Sequence, residues 1–171
     1  MTSPLRVTGI LRRAGLVGEG FYKQEDLDRG SAVHMTTEFI DRGEAFEPSD
    51  DEKVNLRAEQ YRRFLAEVCP EVLSVEEEVV NPLYAYQGRL DRRVRIAKRE
   101  GLLDIKGTCE SPWHGPQIAL YCMCFDRPLA RWNLYLHDDH YRLVERTDRM
   151  DYEIAKAAIT VANWKRLHEV D

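Results

Sequence analysis

Up to Pro70 the apolar positions recur at the spacing of amphipathic helices, and after Pro70 they alternate as in strands. Val7 to Leu16 (VTGILRRAGL) predicts a short helix with Thr8 as N-cap and Gly15 as its stop. From Ser31 to Arg42, Val33, Met35, Phe39 and Ile40 mark a second helix, which carries His34 and Glu38 and ends at Gly43. The linker EAFEPSDDE supplies the capping cluster Ser49-Asp50-Asp51. A third helix follows on Val54, Ala58, Tyr61, Phe64, Leu65 and Val68, and Pro70 halts it. No strand is expected before these helices.

Val72 to Val80 and Tyr84 to Ile96 read as strands separated by Asn81-Pro82, and a break at Lys98 to Gly101 turns the chain into a short strand, Leu102 to Lys106. After the loop GTCESPWHGP, Gln117 to Phe125 reads as a nearly all-apolar helix buried against a sheet. Ala130 to Leu136 and Tyr141 to Glu145 follow as strands, and Asp148 caps a last helix through Val170. Trp132 and Trp164 read as core. The order of elements predicts an α/β fold with a mixed sheet flanked by helices.

Composition narrows the classes. The 171 residues, 43% of them hydrophobic, suit one domain over residues 1–171 with its own core. A net charge of −5 leaves no general attraction to nucleic acid or anionic membrane, so any phosphate contact must be local. The longest apolar run, Ile118 to Phe125, is far short of the roughly 20 residues that span a bilayer, and the opening MTSPLRVTG lacks a signal-peptide stretch. The expectation is a cytoplasmic protein that contacts no membrane. Cys69, Cys109, Cys122 and Cys124 include no CxxC, which argues against a zinc ribbon or a disulfide framework.

Alternation puts Asp104 and Lys106 on one face of their strand, while Leu103 and Ile105 point to the other. Folding the hairpin brings Asp91 opposite or diagonal to them, about 5 to 8 Å away. Clustered carboxylates suit a hard cation such as Mg²⁺, and the Ile105 main-chain carbonyl can add an oxygen ligand. The Lys106 ammonium can orient and help deprotonate water or neutralise charge in a phosphorane-like transition state. The bland alternative is a solvated salt-bridge ladder.

GRLD (Gly88 to Asp91), LLDIK (Leu102 to Lys106) and PQIALY (Pro116 to Tyr121), with GSAVH (Gly30 to His34) upstream, resemble the RecB-like branch of the PD-(D/E)XK nuclease superfamily. The likeness covers about residues 30–125, and VTGIL is similar to small phage-type exonucleases. It implies a restriction-endonuclease-like core that binds Mg²⁺ or Mn²⁺ through His34, Asp91, Asp104 and the Ile105 carbonyl. Lys106 would be catalytic, and Gln117 with Tyr121 would contact the substrate strand. The family's upstream glutamate would be Glu76, with Glu78 open as an alternative; alternation sets both on one face and Glu77 on the other. The cysteine positions depart from the iron-sulfur members, so no cluster is expected.

Arg89, Arg93 and Arg95 share Asp91's face by alternation and are candidate phosphate contacts, whereas Arg142 and Arg146 lie on a strand remote in sequence from the motifs. Trp113 and His114 sit in the loop near the site. Packing is the better reading of Trp113, and base stacking the alternative. The implied activity is a metal-dependent DNA nuclease, an exonuclease of recombination, repair or phage DNA processing, with DNA as substrate and a recombination or single-strand-binding protein as a conceivable partner. The competing readings are a structure-selective or site-specific endonuclease and a non-catalytic nucleic-acid-binding module. Strand polarity, single- or double-strand preference, DNA or RNA preference and oligomeric state stay open.

Overall fold

The computed structural model describes residues 4–18 and 24–170, so the first residues of the MTSPLRVTG opening lie outside it. The chain runs β1 (Leu5–Arg6), α1 (Val7–Arg13), α2 (Gln24–Arg42), α3 (Glu52–Val68), β2 (Glu71–Asn81), β3 (Tyr86–Ile96) and β4 (Arg99–Lys106). It continues through α4 (His114–Cys122), β5 (Ala130–Leu136), β6 (Tyr141–Glu145) and α5 (Met150–His168). The result is the expected α/β fold, a six-stranded mixed sheet flanked by helices. No helix among the described residues is long and apolar enough to cross a membrane.

Local chemistry explains most boundaries. Asp51 accepts the Lys53 N–H to cap α3, and Gly43 ends α2 in the left-handed region at φ +65°. Asp148 accepts the Met150 N–H at 2.8 Å at the start of α5. Other expectations are corrected. α1 starts directly after β1 with Arg6, not Thr8, at its N-cap, and β1 precedes every helix because Leu5 and Arg6 pair with β3. α2 begins at Gln24 rather than Ser31, its extra turns tied by Gln24 to Asp28 and by Arg29 to Asp51. The β3–β4 turn is the tight pair Ala97-Lys98, both with positive φ, so β4 begins at Arg99.

Two cores lie on opposite faces of the sheet. α1, α4 and α5 cover one face, packing Ile10, Leu11, Ile118 and Ile159 against Tyr86, Leu90 and Leu102. α2 and α3 cover the other, packing Val33, Val54, Tyr61 and Phe64 against Val94, Leu103, Ile105 and Leu134. Each such fully buried side chain contributes about 1.5–3 kcal/mol. Trp132 belongs to the second core, but Trp164 is 54% exposed. α5 buries Ala155, Ala158, Ile159 and Ala162 instead, and Trp164 lies outside that stripe.

Candidate functional site

β2 covers one edge of β3 from Asn81↔Tyr86 to Glu71↔Arg95. On the other edge β1 pairs with Tyr86 and Gln87, and β4 pairs with Arg92 to Ile96, so among the described residues Gly88 to Asp91 lack a ladder partner there. Two side chains fill this gap. The Asp91 carboxylate accepts the Ile105 N–H at 2.7 Å, replacing the backbone acceptor that a continued hairpin would supply. Tyr121 lies over Gly88, where an added Cβ would stand 2.6 Å from Tyr121 Cε1 and 2.9 Å from Val7 Cγ2. The glycine of GRLD is thus required by close packing.

Around the gap, His34, Glu76 and Asp91 converge, each offering a ligand atom within 4.8 Å of the others. His34 Nδ1 is 3.5 Å from Asp91 Oδ2. Glu76 turns into this group through a left-handed backbone, φ +52°, a strained conformation for a residue with a side chain. Arg89 Nε lies 2.8 Å and Arg92 Nη1 3.3 Å from its carboxylate. Arg92 is fully buried, paired with Asp41 and donating to Thr37 at 3.2 Å. Burial, and then the charge of Asp91, pushes the Glu76 carboxyl up against the opposing pull of the two arginines. Glu78, the alternative, is exposed.

Asp104 and Lys106 share a face, as alternation requires. Asp104 Oδ2 lies 2.9 Å from Lys106 Nζ and accepts from Asn133 Nδ2 at 2.7 Å. Burial pushes its carboxyl up to about 6; Lys106 opposes the shift and Asp91 adds to it. Lys106 Nζ also donates to Gln117 Oε1 at 2.7 Å and stands 5.4 Å from the centre of the Trp113 ring. Because a strand residue's N–H and C=O face the same edge, the Ile105 carbonyl is directed to the Asp91 side.

A cleft of 630 Å³ opens over these groups, with His34, Glu76, Asp91 and Lys106 on its lining. Its further cations are Arg89 and Arg57. Arg57 is mostly buried on α3; its Nε donates to Asp138 at 2.9 Å, and its Nη1 approaches the space beside Gly107.

Several expected neighbours lie elsewhere. Arg93 pairs with Glu77 and Glu100, Arg95 pairs with Glu71, and neither lines the cleft. The cause is a break in alternation at Asp91. Leu90 points into the core under α4, Arg92 lies under α2, and every later side chain is therefore turned over. Glu77 bonds Ser74 and does not take part in the cleft. Gln117 and Tyr121, expected to touch substrate, are buried at 7% exposure behind the site, one holding Lys106 and the other packed on Gly88. Arg146, one residue past β6, donates to Asn133 at 2.7 Å and so reaches Asp104 through one residue; Arg142, on β6, pairs with Glu110.

Arg57 and Asn133 escaped the sequence reading, yet both left a signal. Arg57 sits three residues after Val54 and four before Tyr61, on an apolar stripe, and Asn133 interrupts the apolar run Trp132 to Leu136. A polar residue in a position reserved for burial asks for a partner.

No protein-family model and no curated protein matches the chain. Among solved structures, a candidate exonuclease from Eubacterium rectale is similar over 95% of this chain and 82% of its own, with TM-score 0.62 and 13% identity. A second, SSO0001, overlaps 96% of this chain and 85% of its own at 12% identity, but its TM-score of 0.43 lies below the range of a meaningful likeness. At 13% identity the first match speaks for architecture alone: this chain shares the α/β fold of that protein.

Proposed function

We propose that this chain is a metal-dependent deoxyribonuclease that hydrolyses phosphodiester bonds, acting as an exonuclease in DNA recombination, repair or phage DNA processing. The observation that supports it most is the meeting of Lys106, paired with Asp104, and the His34, Glu76 and Asp91 group on one cleft. Two carboxylates and an imidazole within 4.8 Å form a donor set that fits Mg²⁺ or Mn²⁺, with Asp104 and the Ile105 carbonyl beside them. Burial first, and then the charge of Asp91, pushes the Glu76 and Asp104 carboxyls up, against the opposing pull of the nearby arginines and lysine. Bound there, the cation supplies Lewis acidity for phosphodiester hydrolysis.

The chain's own groups then divide the work. Lys106, steadied by Asp104 and Gln117, orients the attacking water and neutralises charge that develops on phosphate oxygens. Arg89 and Arg57 hold the phosphates that a protein of net charge −5 would otherwise repel. Asp91, fixed by the Ile105 N–H, keeps its carboxylate aimed at His34 and Glu76.

The test is incubation of the pure protein with end-labelled linear and closed circular DNA, single- and double-stranded, with Mg²⁺, Mn²⁺ or chelator. Linear DNA should be degraded only with metal, and folded Asp104→Asn protein should leave it intact. Cleavage of closed circles would favour an endonuclease. Turnover in chelator, or by the Asn variant, would remove the metal-site reading.

A further inference from the structure

The cleft that holds the charged groups also carries apolar surface that hydrolysis does not use. Trp113, on the loop before α4, lines it with its ring half-buried and nearly perpendicular to the buried His114 ring, at a centroid distance of 4.3 Å. Elsewhere on the lining, α2 exposes Leu27 (45%) and Met35 (53%). Apolar groups left wet beside a charged centre suit a ligand that is itself part ionic and part flat and apolar, as a nucleotide is.

We propose that Trp113, with Leu27 and Met35, forms a subsite for one unpaired nucleobase next to the phosphate handled by Lys106, so that the cleft takes a single strand or a frayed end rather than intact duplex. The inference rests on the nuclease reading and adds the substrate class. Lys106 Nζ lies 5.4 Å from the Trp113 ring centre, which sets a base on the indole beside a phosphate at the ammonium. A base within a duplex has both faces covered by its neighbours, whereas an unpaired base has a face to offer to an aromatic ring. Size agrees. A cleft of 630 Å³ falls in the range of about 300–1,000 Å³ typical of small-molecule pockets and has room for one nucleotide. Methionine adds a soft surface that adapts to any base, so the subsite should show little sequence preference.

The test is binding in Ca²⁺ of a fluorescent single-stranded oligonucleotide and of a duplex closed by hairpins at both ends. Wild-type protein is compared with Trp113→Ala, Trp113→Phe and, as a control on α5, Trp164→Phe. Trp113→Ala should weaken single-strand binding about 5- to 100-fold, the worth of one stacked base, while Trp113→Phe and Trp164→Phe stay close to wild type and closed duplex stays weak for all. The deciding measurement is an oligonucleotide with one abasic position moved along its length. One position should weaken wild-type binding by the same factor as Trp113→Ala and weaken Trp113→Ala no further. Trp113→Leu keeps apolar bulk against His114 and serves if the alanine variant does not fold. Independent, additive losses, or equal loss on single strand and closed duplex, would overturn the subsite while metal-dependent cleavage by wild type left the nuclease reading standing. If wild-type protein neither bound nor cut any DNA, both would fall together.

Discussion

At one end of the β3–β4 pair the chain reverses through Ala97 and Lys98, and from Ile96↔Arg99 to Arg92↔Leu103 each residue has a cross-strand partner. At the other end the ladder stops, and the Asp91 carboxylate serves as acceptor for Ile105. The paired end spends its polar groups on backbone bonding and its charged side chains on exposed ion pairs such as Arg99 with Glu145. The parted end gathers Glu76, Asp91, Asp104 and Lys106, and burial there raises the carboxyl pKa of Glu76 and of Asp104. A site of this kind is opened where regular pairing is given up, and side chains must then do what the backbone did.

The sharpest way to separate the two ends is Lys106→Ala. It should lower the rate of degradation of end-labelled DNA by about 10²–10³-fold or more in protein that circular dichroism shows to be folded, because an electrostatic group is lost from the transition state. Activity close to wild type would move the chemistry away from the parted end. Next in size is the pair Asp91→Ala and Asp91→Asn. Alanine leaves the Ile105 N–H without its acceptor and should lose about 1–3 kcal/mol in urea unfolding, whereas asparagine keeps an acceptor and most of the stability. Equal losses would mean that the carboxylate does not stand in for the ladder.

The burial of Asp104 has its own signature in pH. A carboxyl whose folded pKa lies above its unfolded value keeps its proton longer when folded. The stability from Asp104 is therefore full below about 3.8 and is lost as pH rises through about 6. In chelator, wild type should lose about 2–3 kcal/mol relative to Asp104→Asn over that window. A constant difference from pH 4 to pH 7, measured by denaturant titration, would contradict it. The smallest effect belongs to the paired end. Ala97 and Lys98 hold positive φ at +48° and +67°, so Ala97→Asn with Lys98→Gly should raise stability by about 1 kcal/mol and leave cleavage unchanged. A change in cleavage there would show that the two ends are coupled.

Much of this was legible in the chain. The D-x-K strand, its hairpin partner and the buried helix after it follow from period and turn chemistry, because pairing within a hairpin is local. Arg93 and Arg95 were misplaced because alternation was carried straight through Asp91, where Leu90 and Arg92 in fact face opposite cores. Glu76 could be preferred to Glu78 by resemblance but not by face, since its left-handed backbone breaks the alternation on which that reasoning depends. Arg146 looked remote because β6 lies far along the chain, yet it meets Asn133 across the β5–β6 pair.

The sequence by itself determined most of the element types and the shared face of Asp104 and Lys106, because each depends on residues near in the chain or on a period that the backbone imposes. Only the tertiary structure decided which carboxylates meet His34, that Arg57 enters the cleft from α3, and that Gln117 and Tyr121 stand behind the site. Those outcomes depend on where β1 leaves the edge of β3 and β4 takes it up. That edge is set by packing between helices on two faces of the sheet, which no local pattern encodes.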